Sequence, residues 1–180
     1  MFETYRRKVD LLIKVIPLIR EVRCFALHGE TAINLFVRDM PRLSVDIDLT
    51  YIPIEGRETS LCKIGEALEA IKHRIESLIP GIRVQHKREI GKLLILLQGL
   101  DVKLEVNLVG RGVIADVRDR ALCGKAQSDF EAFVTVPVVP LAQLFGGKIC
   151  AALDRQHPRD LFDVKYLLDN EGFSDDIRKG

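Results

Sequence analysis

The chain has 180 residues, near the usual size of one domain, and is 47% apolar and 29% charged, a composition that supports a packed core and excludes a disordered chain. Lys and Arg number 27 against 26 Asp and Glu, so no broad field of one sign exists to wrap nucleic acid, although a local basic patch is compatible with this balance. Trp is absent, which gives no sign of an aromatic base- or sugar-binding platform. Cys24, Cys62, Cys123 and Cys150 form no C-x-x-C pair and fall in stretches read as core, as expected of reduced thiols in a cytoplasmic protein. The four dispersed histidines give no zinc pattern. The N-terminal residues fit no secretory signal, and the longest apolar run, Leu93–Leu97, is far short of the roughly 20 residues of a membrane span. A soluble cytoplasmic protein without membrane contact is expected.

The first 20 residues predict a helix, with Leu11, Leu12, Val15, Ile16 and Ile19 on one stripe. A short apolar run from Arg23 to Leu27 stops at Gly29, and a helix is predicted from Thr31 to the Pro41 region. Val45–Ile52 alternates strictly and predicts a strand with one apolar and one polar face. A helix from about Glu58 to Leu78 ends at Pro80-Gly81. Three strand-like runs follow, Ile82–Glu89, Lys92–Gln98 and Val102–Leu108, turning at Gly91 and Gly99 as in an antiparallel meander. Arg111–Asp129 is mixed and charged. Phe133–Val139 predicts another strand, and Leu141–Leu153 and Pro158–Leu168 predict two helices, the second marked by Pro158 at its first position. The pattern predicts a mixed α/β (α+β) sandwich rather than a doubly wound fold. It forms a single domain over residues 1–180, with 140–180 as a helical part packed on it.

Asp46 and Asp48 lie two apart on one strand and therefore share a face, with Cα atoms roughly 6.5–7 Å apart, so both carboxylates can converge on one divalent cation. Mg²⁺ favours such a pair completed by phosphate oxygens and water. Taken alone, V-D-I-D-L reads more readily as a solvated edge strand. Its surroundings shift that reading. Upstream, an apolar strand runs through Gly29-Glu30-Thr31 into a helix, an arrangement suited either to an anion or to a plain capped turn. Downstream, Lys103, Glu105 and Asn107 share the polar face of another strand, which offers Glu105 as a base or a further ligand, or simply as an exposed strand residue.

Phe25-Ala-Leu-His-Gly-Glu-Thr-Ala-Ile-Asn-Leu-Phe36 and Pro41-Arg-Leu-Ser-Val-Asp-Ile-Asp-Leu-Thr50 resemble the glycine-turn and D-x-D signature of AbiEii/AbiGii-type nucleotidyltransferases, members of the polymerase-beta-like nucleotidyltransferase superfamily. Leu144-Phe-Gly-Gly-Lys148 and Asp154-Arg155-Gln-His-Pro-Arg159-Asp160-Leu-Phe-Asp163 are similar to the family's lysine helix and R-D-x-x-D motif. The resemblance runs from about residue 10 to the end.

It implies a largely antiparallel nucleotidyltransferase sheet flanked by helices, and transfer of a nucleotidyl group from an NTP to an acceptor hydroxyl. By this resemblance Asp46, Asp48 and Glu105 are metal ligands for Mg²⁺ or Mn²⁺. Gly29 and Thr31 hold the nucleotide phosphates, Lys148 the triphosphate. Asp160 is the C-terminal acid, and Arg155 and Arg159 are phosphate or scaffold contacts. The acceptor implied is RNA such as tRNA, or a protein, and the setting a type IV toxin–antitoxin or abortive-infection system with a cognate antitoxin. A small-molecule nucleotidyltransferase of the antibiotic-modifying type and a catalytically weak nucleotide-binding domain are the alternatives. The family commonly has two glycines where this chain has Gly29-Glu30, and a Glu side chain near phosphates is electrostatically awkward unless it points away. Asp163 is read as a first-turn acid as readily as a site residue. Arg42 and Ser44 are expected to orient the loop before the D-x-D strand.

Overall fold

The computed structural model describes residues 2–179, so residues 1 and 180 of the expected helix and domain lie outside it. The order of elements is α1 (Phe2–Arg20), β1 (Phe25–His28), α2 (Gly29–Thr31) continuing as a π-helical stretch (Ala32–Val37), β2 (Asp46–Tyr51), α3 (Arg57–Leu78), β3 (Arg83–Lys87), a 3-10 turn (Arg88–Ile90), β4 (Lys92–Leu97), β5 (Leu100–Val106), β6 (Arg118–Ala121), α4 (Gly124–Phe130), β7 (Thr135–Val138), α5 (Leu141–Arg155), α6 (Pro158–Asn170) and α7 (Asp175–Lys179). The strands form one sheet in the order β3-β4-β5-β2-β1-β7-β6. The predicted meander is present, with β3, β4 and β5 antiparallel. β1–β2 and β6–β7 are also antiparallel, whereas β2–β5 and β1–β7 are parallel.

The alternation of each strand decides what it buries. Ile47, Leu49 and Tyr51 point to one face with Leu93, Ile95, Val102 and Leu104, all at most 2% exposed. The stripe Leu12, Val15, Ile16 and Ile19 of α1 closes that face together with Ile64, Leu68 and Ile71 of α3. Phe25 and Tyr51 meet edge to face at 6.0 Å. On the other face α5 approaches the end of β1 at Gly147, where an added Cβ would lie 3.4 Å from the His28 ring.

Three elements differ from expectation. The charged stretch Arg111–Asp129 contains β6 and α4, and a further short helix, α7, follows α6. β6 reads Arg-Asp-Arg-Ala because it is an edge strand, which favours charge over alternation. The cysteines are not core residues as a group. Cys62 and Cys150 lie on outward turns of α3 and α5 and are exposed, while Cys24 and Cys123 are half-buried. All four are free thiols. Burial pushes the Cys24 thiol up to about 11 and raises that of Cys123.

The α5–α7 layer is tied to the sheet by Arg38. The π-helical stretch ends with an Arg38 N–H to Ile33 carbonyl bond of 2.8 Å, and the side chain continues inward to only 3% exposure. There its guanidinium stacks over Tyr166 (4.4 Å) and Phe145 (5.2 Å), grips Glu171 through two bonds (2.8 and 3.1 Å), and donates to the Asp163 carbonyl. Arg38→Met is expected to destabilise the protein by about 2–3 kcal/mol, since it removes the stacking on Tyr166 and Phe145 and leaves the buried Asp163 carbonyl without its donor. Hydrogen exchange should show α6 amides losing protection before those of β2 and β5.

Candidate active site

β2 and β5 run side by side in register, with Asp46 opposite Lys103 and Asp48 opposite Glu105. On the other side of β2, His28 stands opposite Asp48. Because paired residues point to the same face, the row His28–Asp48–Glu105 is fixed by pleat and register. These side chains form one wall of a cleft of about 440 Å³. Lys148 and Gly147 of α5, with Arg155 and Arg159, form the opposite wall. Acids therefore face bases across a space of ligand size.

Gly29 is what allows Asp48 to sit there. Its φ is +70°, and a Cβ at this position would lie 2.2 Å from Asp48 Oδ2. The carboxylate fills the space that any other side chain would occupy, so the glycine turn and the D-x-D strand are sterically linked. Thr31 departs from the expectation. It is fully buried, donates to the Asp46 carbonyl (2.5 Å) and lies 2.9 Å from Ser44 Oγ, so its hydroxyl braces the start of β2 and does not face the cleft. Ser44 thus orients the loop as expected.

The basic wall rests on a buried ion network. Lys148 is 5% exposed, with Nζ 2.9 Å from Asp160 Oδ1, 3.4 Å from Asp163 Oδ2 and 3.4 Å from Glu30 Oε1. Arg42 joins Glu30 (3.0 Å) to Asp163 (2.5 Å), and Arg159 stands 3.8 Å from Glu30. Glu30 lines the cleft and does not point away from it. Burial pushes its carboxyl up, but Lys148, Arg42 and Arg159 together outweigh that and hold it below the usual range. Asp160 is 1% exposed and does not line the cleft. It holds Lys148 and Arg155 (3.0 Å), which makes it a positioning residue rather than a catalytic one. Asp163 is fully buried, so its first-turn position serves the network rather than solvent.

Asp46 and Asp48 have no such compensation. Lys92 is engaged with Glu105 and Lys148 with Glu30 and Asp160, Lys103 opposite Asp46 offsets its charge only in part, and among the described residues neither aspartate has an ion-pair partner. Burial, then the charges of Asp46, Glu105 and Glu30, push Asp48 up to about 6. Burial likewise raises Asp46, with Lys103 opposing. Among the described residues no three His, Cys, Asp or Glu side chains are already gathered as a metal cluster, because Glu105 is drawn to Lys92. The donor set nevertheless fits Mg²⁺: two adjacent, uncompensated carboxylates with open space for phosphate oxygens and water.

His28 was not singled out by sequence reasoning, although its place directly before Gly29 was the available signal. Burial lowers its pKa, with a bond to the Gln143 backbone opposing, and the neutral ring packs its unpartnered Nε2 against Gly147.

The profile of a family described as "nucleotidyl transferase AbiEii toxin, type IV TA system" matches residues 11–179. The chain belongs to this family of nucleotidyltransferases. Among solved structures it is similar to MenT4, the nucleotidyltransferase toxin Rv2826c of Mycobacterium tuberculosis H37Rv, with a TM-score of 0.66 and 17% identity over 92% of this chain and 59% of that one. It is also similar to an H. pylori protein assigned as a nucleotidyltransferase, with a TM-score of 0.56 and 19% identity over 92% of this chain and 71% of that one. At these identities the likeness establishes a shared fold. The chain spans about three fifths of MenT4. No curated protein matches the sequence significantly.

The raised Asp48 pKa makes a stability prediction. The folded state resists ionising this group, so wild-type stability falls as pH rises from the ordinary 3.8 through about 6, by about 3 kcal/mol in total. Asp48→Asn removes that cost. In metal-free buffer the variant should be the more stable protein above about pH 6, with the difference fading toward about pH 4 in paired denaturant melts. A variant less stable than wild type near neutrality would contradict the repulsion described.

Proposed function

We propose that this chain transfers a nucleotidyl group from an NTP to an acceptor hydroxyl on RNA, and acts as the toxin of a type IV toxin–antitoxin system in the cytoplasm. The observation that carries the reading is the pair of uncompensated carboxylates, Asp46 and Asp48, facing Lys148, Arg155 and Arg159 across one cleft. Family membership supports the reaction class and the toxin setting, and implies an antitoxin partner.

In this reading Asp46 and Asp48, with Glu105 as third ligand, would hold Mg²⁺ or Mn²⁺, which when bound supplies charge neutralisation at the reacting phosphate. The protein does the rest by position. Lys148, Arg155 and Arg159 draw the β- and γ-phosphates to the helical wall, which leaves the α-phosphate over β2. The Gly29 turn leaves room for the Asp48 carboxylate beside the phosphates. The acceptor oxygen bonds to the α-phosphorus as the bond from that phosphorus to the β-bridging oxygen breaks. Pyrophosphate leaves with the electron pair, and Glu105, freed from Lys92, accepts the hydroxyl proton.

One observation favours a second reading, nucleotide binding without efficient turnover. Glu30 occupies the cations that phosphates would need. Incubation with each α-labelled NTP, Mg²⁺ and total RNA separates the two readings. The proposal expects label on RNA, reduced at least about a hundredfold by Asp48→Asn. Label on protein or aminoglycoside would replace the acceptor, and NTP binding with no labelled product would favour the second reading.

A further inference from the structure

Strand register extends the cleft onto a surface that no helix covers. The row containing Asp48 and Glu105 continues through Lys92 on β4 to Lys87 on β3. The adjacent row runs from Asp46 through Lys103 and Leu94 to Gln85, and the next pairs Asp101, Leu96 and Arg83. α1 and α3 cover the opposite face of these strands, where Val84, Leu93, Ile95, Val102 and Leu104 are buried. On the open face Arg83, Gln85, Lys87 and Lys103 are exposed. Leu94 and Leu96 are half-buried, and both lie outside the core cluster.

On β3, β4 and β5 the charge of this face is one-sided once internal pairs are counted. Asp101 is bound by Lys8 at 2.7 Å, and Glu105 by Lys92. Arg83, Lys87 and Lys103 make no ion pair among the described residues, and of the three only Lys103 has an acid opposite it in register, Asp46. The open face of an antiparallel sheet is ordinarily polar throughout. Here two leucines lie between the cations, which provides an apolar floor with positive margins. Lys87 lies three strand spacings from Asp48, about 14 Å, enough for a few nucleotides of extended chain.

We infer that the open face of β3, β4 and β5 is the docking surface for the acceptor, a single-stranded RNA end. Its phosphates lie against Lys103, Arg83 and Lys87, its bases rest on Leu94 and Leu96, and its terminal hydroxyl is directed toward Asp48 and Glu105. The inference rests on the reading that the acceptor is RNA, and two features support it: the cations complement a polyanion, and the surface is continuous with the cleft. In sequence-tolerant single-strand binding, cations that track the backbone supply much of the affinity and base faces supply contact area, usually on aromatic rings, for which Leu94 and Leu96 substitute apolar contact alone. A peptide would instead find the free edge of β3, whose backbone groups lie beside the face rather than on it.

The test is fluorescence anisotropy of a labelled single-stranded RNA with the full chain, in the absence of NTP and metal, over a range of salt. Arg83→Gln/Lys87→Gln changes two exposed side chains outside the cleft, and an unchanged melting temperature confirms its fold. The variant should bind about tenfold more weakly, and the slope of log K against log salt should flatten by about 1.4, or about 0.7 for each phosphate no longer neutralised. In the labelling reaction it should raise KM for RNA and leave kcat unchanged. Equal binding and an equal slope in wild type and variant would overturn the docking surface, and the RNA reading would survive if wild type still labels RNA. Label delivered by wild type only to protein would overturn both.

Discussion

The active cleft depends on one steric and electrostatic constraint: the Asp48 carboxylate lies in the space where any residue but Gly29 would carry its Cβ. That contact locks the turn after β1 to the face of β2 and fixes where Asp46 and Asp48 point. It also holds the two aspartates close to Glu105 and Glu30, in surroundings that disfavour their ionised forms. Burial first, and the nearby like charges second, make these carboxylates costly to the stability of the folded protein. Their location in a cleft and their oxygen chemistry are what the proposed cation site rests on.

The opposite wall is organised on the reverse principle. Every acid in it has a cation, and every buried cation has an acid. Lys148 reaches the cleft because Asp160 and Asp163 neutralise it from behind, and Glu30 is tolerated because Lys148, Arg42 and Arg159 surround it. Arg38 then holds the helical layer in place, so that the lysine helix and the D-x-D strand keep a fixed separation. The protein thus places a compensated wall opposite an uncompensated one. A nucleotide with its metal would supply the missing positive charge on one side and displace Glu30 on the other.

Features governed by local periodicity were readable from the residues. A period of two put Asp46 and Asp48 on one face and Lys103, Glu105 and Asn107 on another, and Gly91 and Gly99 marked the meander. Features governed by tertiary pairing were not. Thr31 has the chemistry of a phosphate ligand, and only the packing of β2 against α2 shows its hydroxyl turned inward. Asp160 looked like a site acid, yet burial behind Lys148 gives it a supporting part. Arg38 carries no motif of its own and His28 enters only as part of the glycine-turn stretch, and their importance arises from what α5 and α6 bring to them. β6 escaped notice because an edge strand needs no apolar alternation, and the outward cysteines because a residue type does not fix a helix face.

The most direct measurement is the thermal stability of wild type and Asp46→Asn/Asp48→Asn with and without saturating Mg²⁺. The account predicts that the cation raises the wild-type midpoint by several degrees, a few kcal/mol of binding linkage, and leaves the double variant unmoved. An equal shift in both proteins, or none in wild type, would contradict it.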